Sequence, residues 1–205
     1  MVGVDGGPVR RGHPPPDGAR KLALRWLEDR RSLPVDAAQG VLGAATASGD
    51  ADLHQRMLDA LRNTTEPRER GLLFTALGGF QDVSLAGASR ALLLDPNVDT
   101  REALPILIRQ LEHLPTRADA FAFLREHFEA LRERLPRDLA AWLLSTGGVF
   151  CDAEHREQFA AFFTPLASML EGGERALAQS LERADLCIAQ REALRPGLER
   201  FLKRY

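Results

Sequence analysis

The sequence lacks the features that mark several common functional classes. Aromatic residues make up 6% of its 205 residues, and 27 Lys and Arg are balanced by 29 Asp and Glu. Nucleic-acid-binding modules normally carry a clear positive excess, so the net charge of −2 argues against a nucleic-acid partner. No apolar run approaches the roughly 20 residues that a membrane-spanning helix needs. We therefore expect neither nucleic acid nor membrane as a partner.

Cysteine is scarce as well. Cys151 and Cys187 are too few for a disulfide framework in a chain of this length, although a single bridge between them is compatible with the sequence. A reduced, cytoplasmic protein is the default expectation. Residues 1–16 agree with that compartment, because Arg10, Arg11 and three consecutive prolines come without the apolar stretch of a secretory signal.

Motifs of metal-dependent chemistry are also missing. The five histidines include no H-E-x-x-H, and no two of them have the i, i+4 spacing that places two ligands on one helix face. Cys151 and His155 are four residues apart and could supply two metal ligands, with Cys187 as a third through the fold. No further pair completes the set, so we expect no metal and no cofactor in this chain.

Other catalytic motifs are absent too. The sequence contains no G-x-S-x-G nucleophile elbow, and no Gly pair is followed by the Lys-Ser/Thr of a phosphate-binding loop. We interpret the Gly pairs at 78–79, 147–148 and 172–173 as helix ends. An enzyme of unrecognised type therefore has less support from the sequence than the two noncatalytic functions considered below.

The residues that are present favour helices throughout. Ala, Leu and Val dominate the apolar positions, and these recur at helical spacing between Pro, Gly and Asp. Asp17, Asp50 and Thr65 are predicted to cap helices, and Leu33-Pro34 to break one. Further helices are predicted over 82–94, 100–113, 116–134, 136–146, 153–170 and 173–204. In the last of these, Pro196 should kink or split the helix.

These segments predict an all-α fold, an irregular α-solenoid of antiparallel helix pairs of the HEAT or armadillo type with about ten helices. Residues 1–16 are predicted to be a flexible leader rich in Pro and Gly, and residues 17–205 a single solenoid domain. The predicted core comprises Trp26, Leu42, Leu73, Leu77, Leu93, Leu107, Phe121, Leu124, Trp142, Phe159 and Leu181.

The order of short motifs resembles a known helical domain. The motifs are Trp26-Leu27-Glu28, Leu33-Pro34-Val35-Asp36, Gly49-Asp50, EPRERGLLFTAL at 66–77, Phe80-Gln81-Asp82, residues 91–98, Arg117, Phe121, Phe159, Phe162-Phe163 and residues 176–188. In this order they are similar to the C-terminal domain of the gluzincin zinc aminopeptidases, the family of aminopeptidase N and the endoplasmic-reticulum aminopeptidases. The chain departs from the family pattern at Thr116, where the family has Gly, and at Phe121, where it has Trp.

The resemblance implies a noncatalytic helical bowl that closes over the catalytic domain and contacts the far end of the peptide substrate. The implied partners are a peptide and the catalytic domain of an aminopeptidase. In the family, H-E-x-x-H and a downstream Glu hold zinc in preceding domains, so zinc is implied only for a full-length parent enzyme. A stand-alone HEAT-like adaptor for a protein partner is the alternative function.

The candidate site residues are arginines. A peptide in such a bowl offers a free carboxylate, which a guanidinium binds through two parallel hydrogen bonds. We predict this contact for Arg68 and Arg70, at the start of one helix, and for Arg117, at the start of another. A helix N-terminus adds a favourable potential for an anion. The alternative for each is a solvated side chain or an ion pair with a carboxylate such as Glu69 or Asp119.

Overall fold

The fold consists of helices alone over residues 17–204, the range that the computed structural model describes. Eleven α-helices lie in that range: α1 Asp17–Glu28, α2 Val35–Thr46, α3 Ala51–Asn63, α4 Pro67–Leu77, α5 Val83–Arg90, α6 Thr100–Glu112, α7 Leu114–Glu126, α8 Phe128–Arg134, α9 Arg137–Trp142, α10 Ala153–Ala167 and α11 Gly173–Leu202. Three short 3₁₀ helices accompany them, Arg30–Ser32, Ala91–Leu94 and Leu143–Val149. The all-α, solenoid-like prediction is confirmed. The predicted leader lies outside the described residues.

Helix starts follow local capping chemistry. The Asp50 carboxylate accepts a hydrogen bond from the backbone N–H three residues on, at 3.0 Å, so the predicted start of α3 is confirmed. The prediction that Thr65 caps α4 is wrong. Glu66 is the N-cap residue, and its carboxylate accepts from the Glu69 N–H at 2.8 Å. Pro67 explains why Glu66 is the cap, because the fixed φ of proline suits the first helical position and the residue before it is then the N-cap.

Several predicted boundaries differ from the structure, and the predicted helix 82–94 is α5 followed by the 3₁₀ helix Ala91–Leu94. The predicted helix 116–134 is two helices, because His127 leaves the helical conformation with φ −110° and ψ 15°. The predicted helix 136–146 tightens at Leu143 into a 3₁₀ helix that runs to Val149. The last helix is not split at Pro196 but continues to Leu202.

A continuous row of packed helices runs through the fold, and we call it the central row. In this row α2 packs on α4, α4 on α6, α6 on the 3₁₀ helix Leu143–Val149, and that helix on α11. The helices α1, α3 and α5 each pack against the row helix that follows them, while α10 packs against α11. No helix in the described part of the chain has both the length and the apolarity to cross a membrane.

The predicted core is largely confirmed. The buried members are Trp26, Leu42, Leu73, Leu77, Leu93, Leu107, Phe121, Leu124 and Phe159. Leu181 is half-buried. The prediction for Trp142 is wrong, since 39% of its surface is exposed. Trp142 is the last residue of α9. The 3₁₀ helix that follows has fewer residues per turn than an α-helix, so the α-helical spacing that predicts a buried Trp142 does not continue beyond it.

An aromatic cluster forms the core beside α10. The ring centroid of Phe159 lies 4.5 Å from that of Phe163, 5.8 Å from Phe121 and 5.9 Å from Phe150. All four side chains are buried. A Cβ atom at Gly147 would lie 2.5 Å from the Phe159 ring, so the backbone of the 3₁₀ helix packs directly on that ring. The cluster therefore joins α7, α10 and the central row.

The loop between the 3₁₀ helix Ala91–Leu94 and α6 is held by Arg134, the last residue of α8. Its Nη1 donates to the carbonyl of Leu94 at 3.2 Å, and its Nη2 donates to the carbonyls of Asp95 and Val98 at 2.5 and 3.2 Å. Its Nε donates to the Thr100 hydroxyl at 2.8 Å. One side chain thus fixes a loop that lies more than thirty residues earlier in the chain.

A disulfide joins Cys151 to Cys187, whose Cα atoms are 5.2 Å apart. The expectation of reduced cysteines is therefore wrong. Arg191 Nη1 donates to the Cys151 carbonyl at 3.1 Å, and Arg156 pairs with Asp185 at 2.8 Å, so three contacts fix α11 to the residues around the start of α10. Disulfides are rare in cytosolic proteins, and the cytoplasmic location stays a prediction that this bond does not support.

Two histidines have lowered pKa values in the folded state, which should make the fold less stable in acid. His54 is buried in α3, its Nε2 lies 2.9 Å from the Ser89 hydroxyl, and burial lowers the pKa of the imidazole. Burial likewise lowers the pKa of His113, and the nearby positive charge of Arg109 adds to the effect. Both groups therefore resist protonation in the folded state.

We expect the free energy of unfolding to fall as the pH drops from about 7.5 to about 5.5. In this window the unfolded chain, with His pKa values near 6.5, binds protons that folded His54 and His113 do not bind. Denaturant titrations across the range measure the slope. His54→Gln should flatten the slope while keeping a polar partner for Ser89. A slope that is unchanged in this variant would contradict the role given to His54.

Candidate functional site

Two of the clefts in the described residues share helix α6 of the central row. The first, which we call the Arg109 cleft, has a volume of about 410 Å³. It is lined by Gln39, Gly40, Gly43, Leu72, Thr75, Ala76, Gly79 and Arg109. Most of these residues are small, so the space between α2, α4 and α6 stays open. Arg109 is the one charged residue in this lining.

Gly78 brings Arg109 to this cleft. It is the C-cap residue of α4, and a Cβ atom there would lie 2.9 Å from both the Ile106 Cα and the Arg109 Cβ. The end of α4 can approach α6 this closely only because position 78 has no side chain. The glycine that ends α4 therefore also sets how closely α4 packs on α6 at Ile106 and Arg109.

The second cleft, the Trp142 cleft, has a volume of about 180 Å³. It is lined by Ile108, Leu111, Glu112, Trp142, Ser145, Thr146, Val149 and Arg183. Arg183 of α11 donates to the Ser145 carbonyl at 3.0 Å and so lies across the 3₁₀ helix. The exposed part of the Trp142 indole gives this cleft an apolar surface, and the charged side chains of Glu112 and Arg183 also line it.

An ion pair connects the two clefts. Arg109 Nη1 lies 3.0 Å from Glu112 Oε2, one turn further along α6, and 41% and 44% of the two side chains are exposed. Exposed pairs of this kind contribute at most about 1 kcal/mol. An incoming carboxylate can therefore displace Glu112 from Arg109 at little cost. The first cleft offers a cation, and the second, joined to it through this pair, offers an aromatic surface.

Two of the three predicted arginines are held by the protein's own acceptors. Arg70 pairs with Glu102 at 2.8 Å and donates to the carbonyls of Leu61 and Thr64. Arg117 donates from Nε to the Leu111 carbonyl at 2.7 Å and from Nη2 to that of the next residue at 2.9 Å, which caps the end of α6. Both guanidinium groups thus stabilise helix junctions.

The third arginine is placed differently. Arg68 is exposed in the first turn of α4, and within residues 17–204 no hydrogen bond or ion pair engages its side chain.

Burial lowers the pKa of Arg117, and the Asp152 carboxylate opposes that effect. None of Arg68, Arg70 and Arg117 lines the Arg109 or the Trp142 cleft. Their contact with a peptide carboxylate stays a prediction.

The described residues do not fit a metal site. No group of three or more His, Cys, Asp or Glu side chains comes together within residues 17–204. The sulfur atoms of Cys151 and Cys187 are bonded to each other and offer no thiolate, while His155 Nδ1 lies 2.7 Å from the Asp152 carboxylate. The hypothesis of Cys151, His155 and Cys187 as metal ligands is therefore wrong for this structure.

The comparison with protein families agrees with the resemblance. The family described as the ERAP1-like C-terminal domain matches residues 11–186. The chain belongs to this family. ERAP1-like domains are the C-terminal, noncatalytic part of aminopeptidases, and this assignment is favoured over a stand-alone adaptor. No curated protein matches the chain.

Sequence reasoning missed the residues that line the two clefts of this ERAP1-like domain. Arg109 lies on an amphipathic helix with several other charged residues, and nothing in its spacing separates it from them. The sequence feature that could have indicated the Arg109 cleft is Gly78-Gly79, because a glycine pair between two helices also permits their backbones to approach closely. Trp142 was assigned to the core on helical spacing alone.

Proposed function

We propose that this ERAP1-like domain lies over the substrate chamber of an aminopeptidase and binds the far end of the peptide in its two clefts. Membership of the family supports association with a catalytic domain. The adjoining Arg109 and Trp142 clefts support a peptide contact. A single observation carries this part: the half-exposed guanidinium of Arg109 in one cleft pairs with Glu112, which lines the cleft that also contains the partly exposed Trp142 indole.

The chemistry of the clefts fits a peptide C-terminus. Arg109 would hold the terminal carboxylate through parallel N–H···O bonds, which a planar guanidinium forms better than an ammonium group. Trp142 would pack against an apolar side chain near that terminus. Glu112 would leave Arg109 when the carboxylate arrives and would disfavour a second negative charge in the Trp142 cleft.

We expect the chain to bind a peptide with a free C-terminal carboxylate at least about tenfold more tightly than the same peptide with a C-terminal amide. Fluorescence anisotropy of a labelled octapeptide with a Leu or Phe terminus measures both affinities. Arg109→Gln should abolish the difference by weakening only the free-acid form. Arg25→Gln is the matched control, because Arg25 is an exposed arginine on α1 and lies outside both clefts.

The same titration tests the arginines predicted from the sequence. If Arg68, Arg70 or Arg117 holds the carboxylate, its replacement by Gln removes the preference for the free acid and Arg109→Gln leaves it intact. Thermal unfolding is measured alongside, since replacing Arg70 or Arg117 also removes hydrogen bonds to backbone carbonyls. Equal affinity of the unaltered chain for the acid and the amide would contradict the proposal.

A further inference from the structure

Arg90, the last residue of α5, is buried, and no other Arg, Lys, Asp or Glu among the described side chains is buried. Only 7% of the residue is exposed. Its Nη1 donates to Gln110 Oε1 at 2.7 Å. Gln110 is itself buried, and its Nε2 donates to the Ala86 carbonyl at 3.0 Å. The amide of Gln110 is thus fixed and holds the guanidinium in one orientation.

The other edge of this guanidinium has no acceptor within residues 17–204. Gln110 is the one hydrogen-bond partner of the Arg90 side chain in that range, and no described carboxylate forms an ion pair with it. The guanidinium carbon lies 5.9 Å from the centroid of the Phe123 ring, a contact that uses none of the N–H donors. The edge formed by Nε and Nη2 therefore keeps its donors unsatisfied by the described residues.

Other arginines that are partly buried in this fold have more acceptors. Arg156 donates from Nε and Nη2 to the two carboxylate oxygens of Asp185, at 2.8 and 2.9 Å. Arg134 donates to backbone carbonyls and to a hydroxyl group. Burying a charge costs free energy unless the charge is paired and its donors are satisfied. Arg90 is the most deeply buried of these arginines, and its one acceptor in the described residues is a neutral amide.

The unsatisfied edge borders open space at Gly87, one turn before Arg90 in α5. Gly87 is partly exposed, and the one atom beyond its own helix backbone that a Cβ atom there would meet within 4 Å is Arg90 Nη2, at 3.8 Å. Asp119 of α7 is also near. Burial lowers the pKa of Arg90, and the negative charge of Asp119 opposes that effect without forming an ion pair.

We propose that Arg90 binds a carboxylate through its Nε and Nη2 donors, in the side-on arrangement that Arg156 and Asp185 show in the same fold. The carboxylate enters beside Gly87 and supplies the negative charge that the buried guanidinium lacks. A free small carboxylic acid and an Asp or Glu side chain of a partner protein offer this same group. Arg90 lines neither the Arg109 nor the Trp142 cleft, so this site is separate from the proposed peptide contact.

The test follows the Nε–H resonance of Arg90 by NMR in the isotope-labelled full chain, and the loss of this resonance in Arg90→Gln assigns it. Sodium acetate is the probe for a free carboxylate. The peptide acetyl-Gly-Glu-Gly-amide, with its Gln counterpart, is the probe for a side chain. We expect acetate, the Glu peptide or both to shift the resonance saturably, and the tighter of the two identifies the source. Chloride at equal ionic strength and the Gln peptide should bind at least about tenfold more weakly, because neither forms the paired bonds.

Gly87→Leu tests the entrance, because its side chain begins against Nη2 while the guanidinium stays in place. Its affinity for the probe should fall at least about tenfold, which is the loss expected when a charge-assisted pair of hydrogen bonds is blocked. Gly71→Leu is the matched control, since a Cβ atom at this exposed position of α4 meets nothing within 4 Å. Thermal unfolding shows whether each variant keeps the fold.

Asp119→Asn is a second test that does not disturb packing, because Asp119 is exposed. Removing this negative charge should increase the affinity for the probe at least about twofold. An affinity unchanged in Asp119→Asn, no saturable shift with either probe, or a shift that persists in folded Gly87→Leu would each overturn the proposal. So would an Nε–H resonance that moves in Asp119→Asn without any probe while neither probe binds, because Asp119 would then be the partner of Arg90.

Discussion

Phe159→Ala should lower the free energy of unfolding by about 3–5 kcal/mol, which is the usual loss for truncating a fully buried Phe. The ring is packed against Phe121, Phe150 and Phe163 and against the backbone at Gly147, so the surroundings cannot collapse into the space that it leaves. For a chain of this size the melting temperature should fall by roughly 2–4 °C per kcal/mol. Urea denaturation and calorimetry measure the two quantities.

The control for this variant is Phe162→Ala. Phe162 lies next to the cluster but is half-buried, so its truncation should cost less than half as much.

A second comparison uses the adjacent glycines. A Cβ atom at Gly147 meets the fixed Phe159 ring, while one at Gly148 meets the flexible Arg183 side chain. Gly147→Ala should therefore destabilise by about 1–3 kcal/mol and Gly148→Ala by less. Equal effects at the two glycines would contradict this packing.

Loss of the disulfide should lower the free energy of unfolding by about 3–4 kcal/mol. The bond closes a loop between residues 36 apart, and cutting it gives the unfolded chain the conformational freedom that the loop denies it. The Cys151→Ser, Cys187→Ser variant tests this without creating a free thiol. Denaturant titrations with and without a dithiol reductant should show a loss in the unaltered chain that matches the double variant.

The double variant is also the control for the reductant, which should have no effect on it. Mass spectrometry of alkylated protein shows whether the bond is formed before each titration. An oxidised chain that is no more stable than the double variant would contradict a stabilising role. Arg191 and the Arg156–Asp185 pair remain in every case, so the start of α10 should stay in contact with α11 after reduction.

Local chemistry made much of the fold predictable. Asp50 begins a helix because its side chain reaches a backbone N–H three residues on, and this depends on neighbours in sequence alone. The same kind of reasoning failed at Thr65, because two adjacent residues could both cap and Pro67 selected the second. The break at His127 had no signal in a segment whose apolar spacing fits a single helix.

Features that depend on distant partners could not be predicted. The sequence allows Cys151 and Cys187 either to pair or to stay apart, and only the packing of α11 on the row brings them together. Arg117 has the sequence context of an anion-binding residue, but the carbonyls at the end of α6 take up its guanidinium. Arg109 has no such context, and it reaches a cleft because Gly78 lets α4 approach.

The way in which Arg134 holds its loop gives the chain a site for engineering. Three of its four acceptors are main-chain carbonyls, at Leu94, Asp95 and Val98, which any amino acid provides. The exposed side chains at 96 and 97 make no bond to the guanidinium, and Asn97 adds only a side-chain hydrogen bond, from its Nδ2 to Asp95 Oδ1 at 3.1 Å. A library randomised at these two positions should therefore keep its loop conformation, so the domain can display short foreign sequences there without redesign of its core.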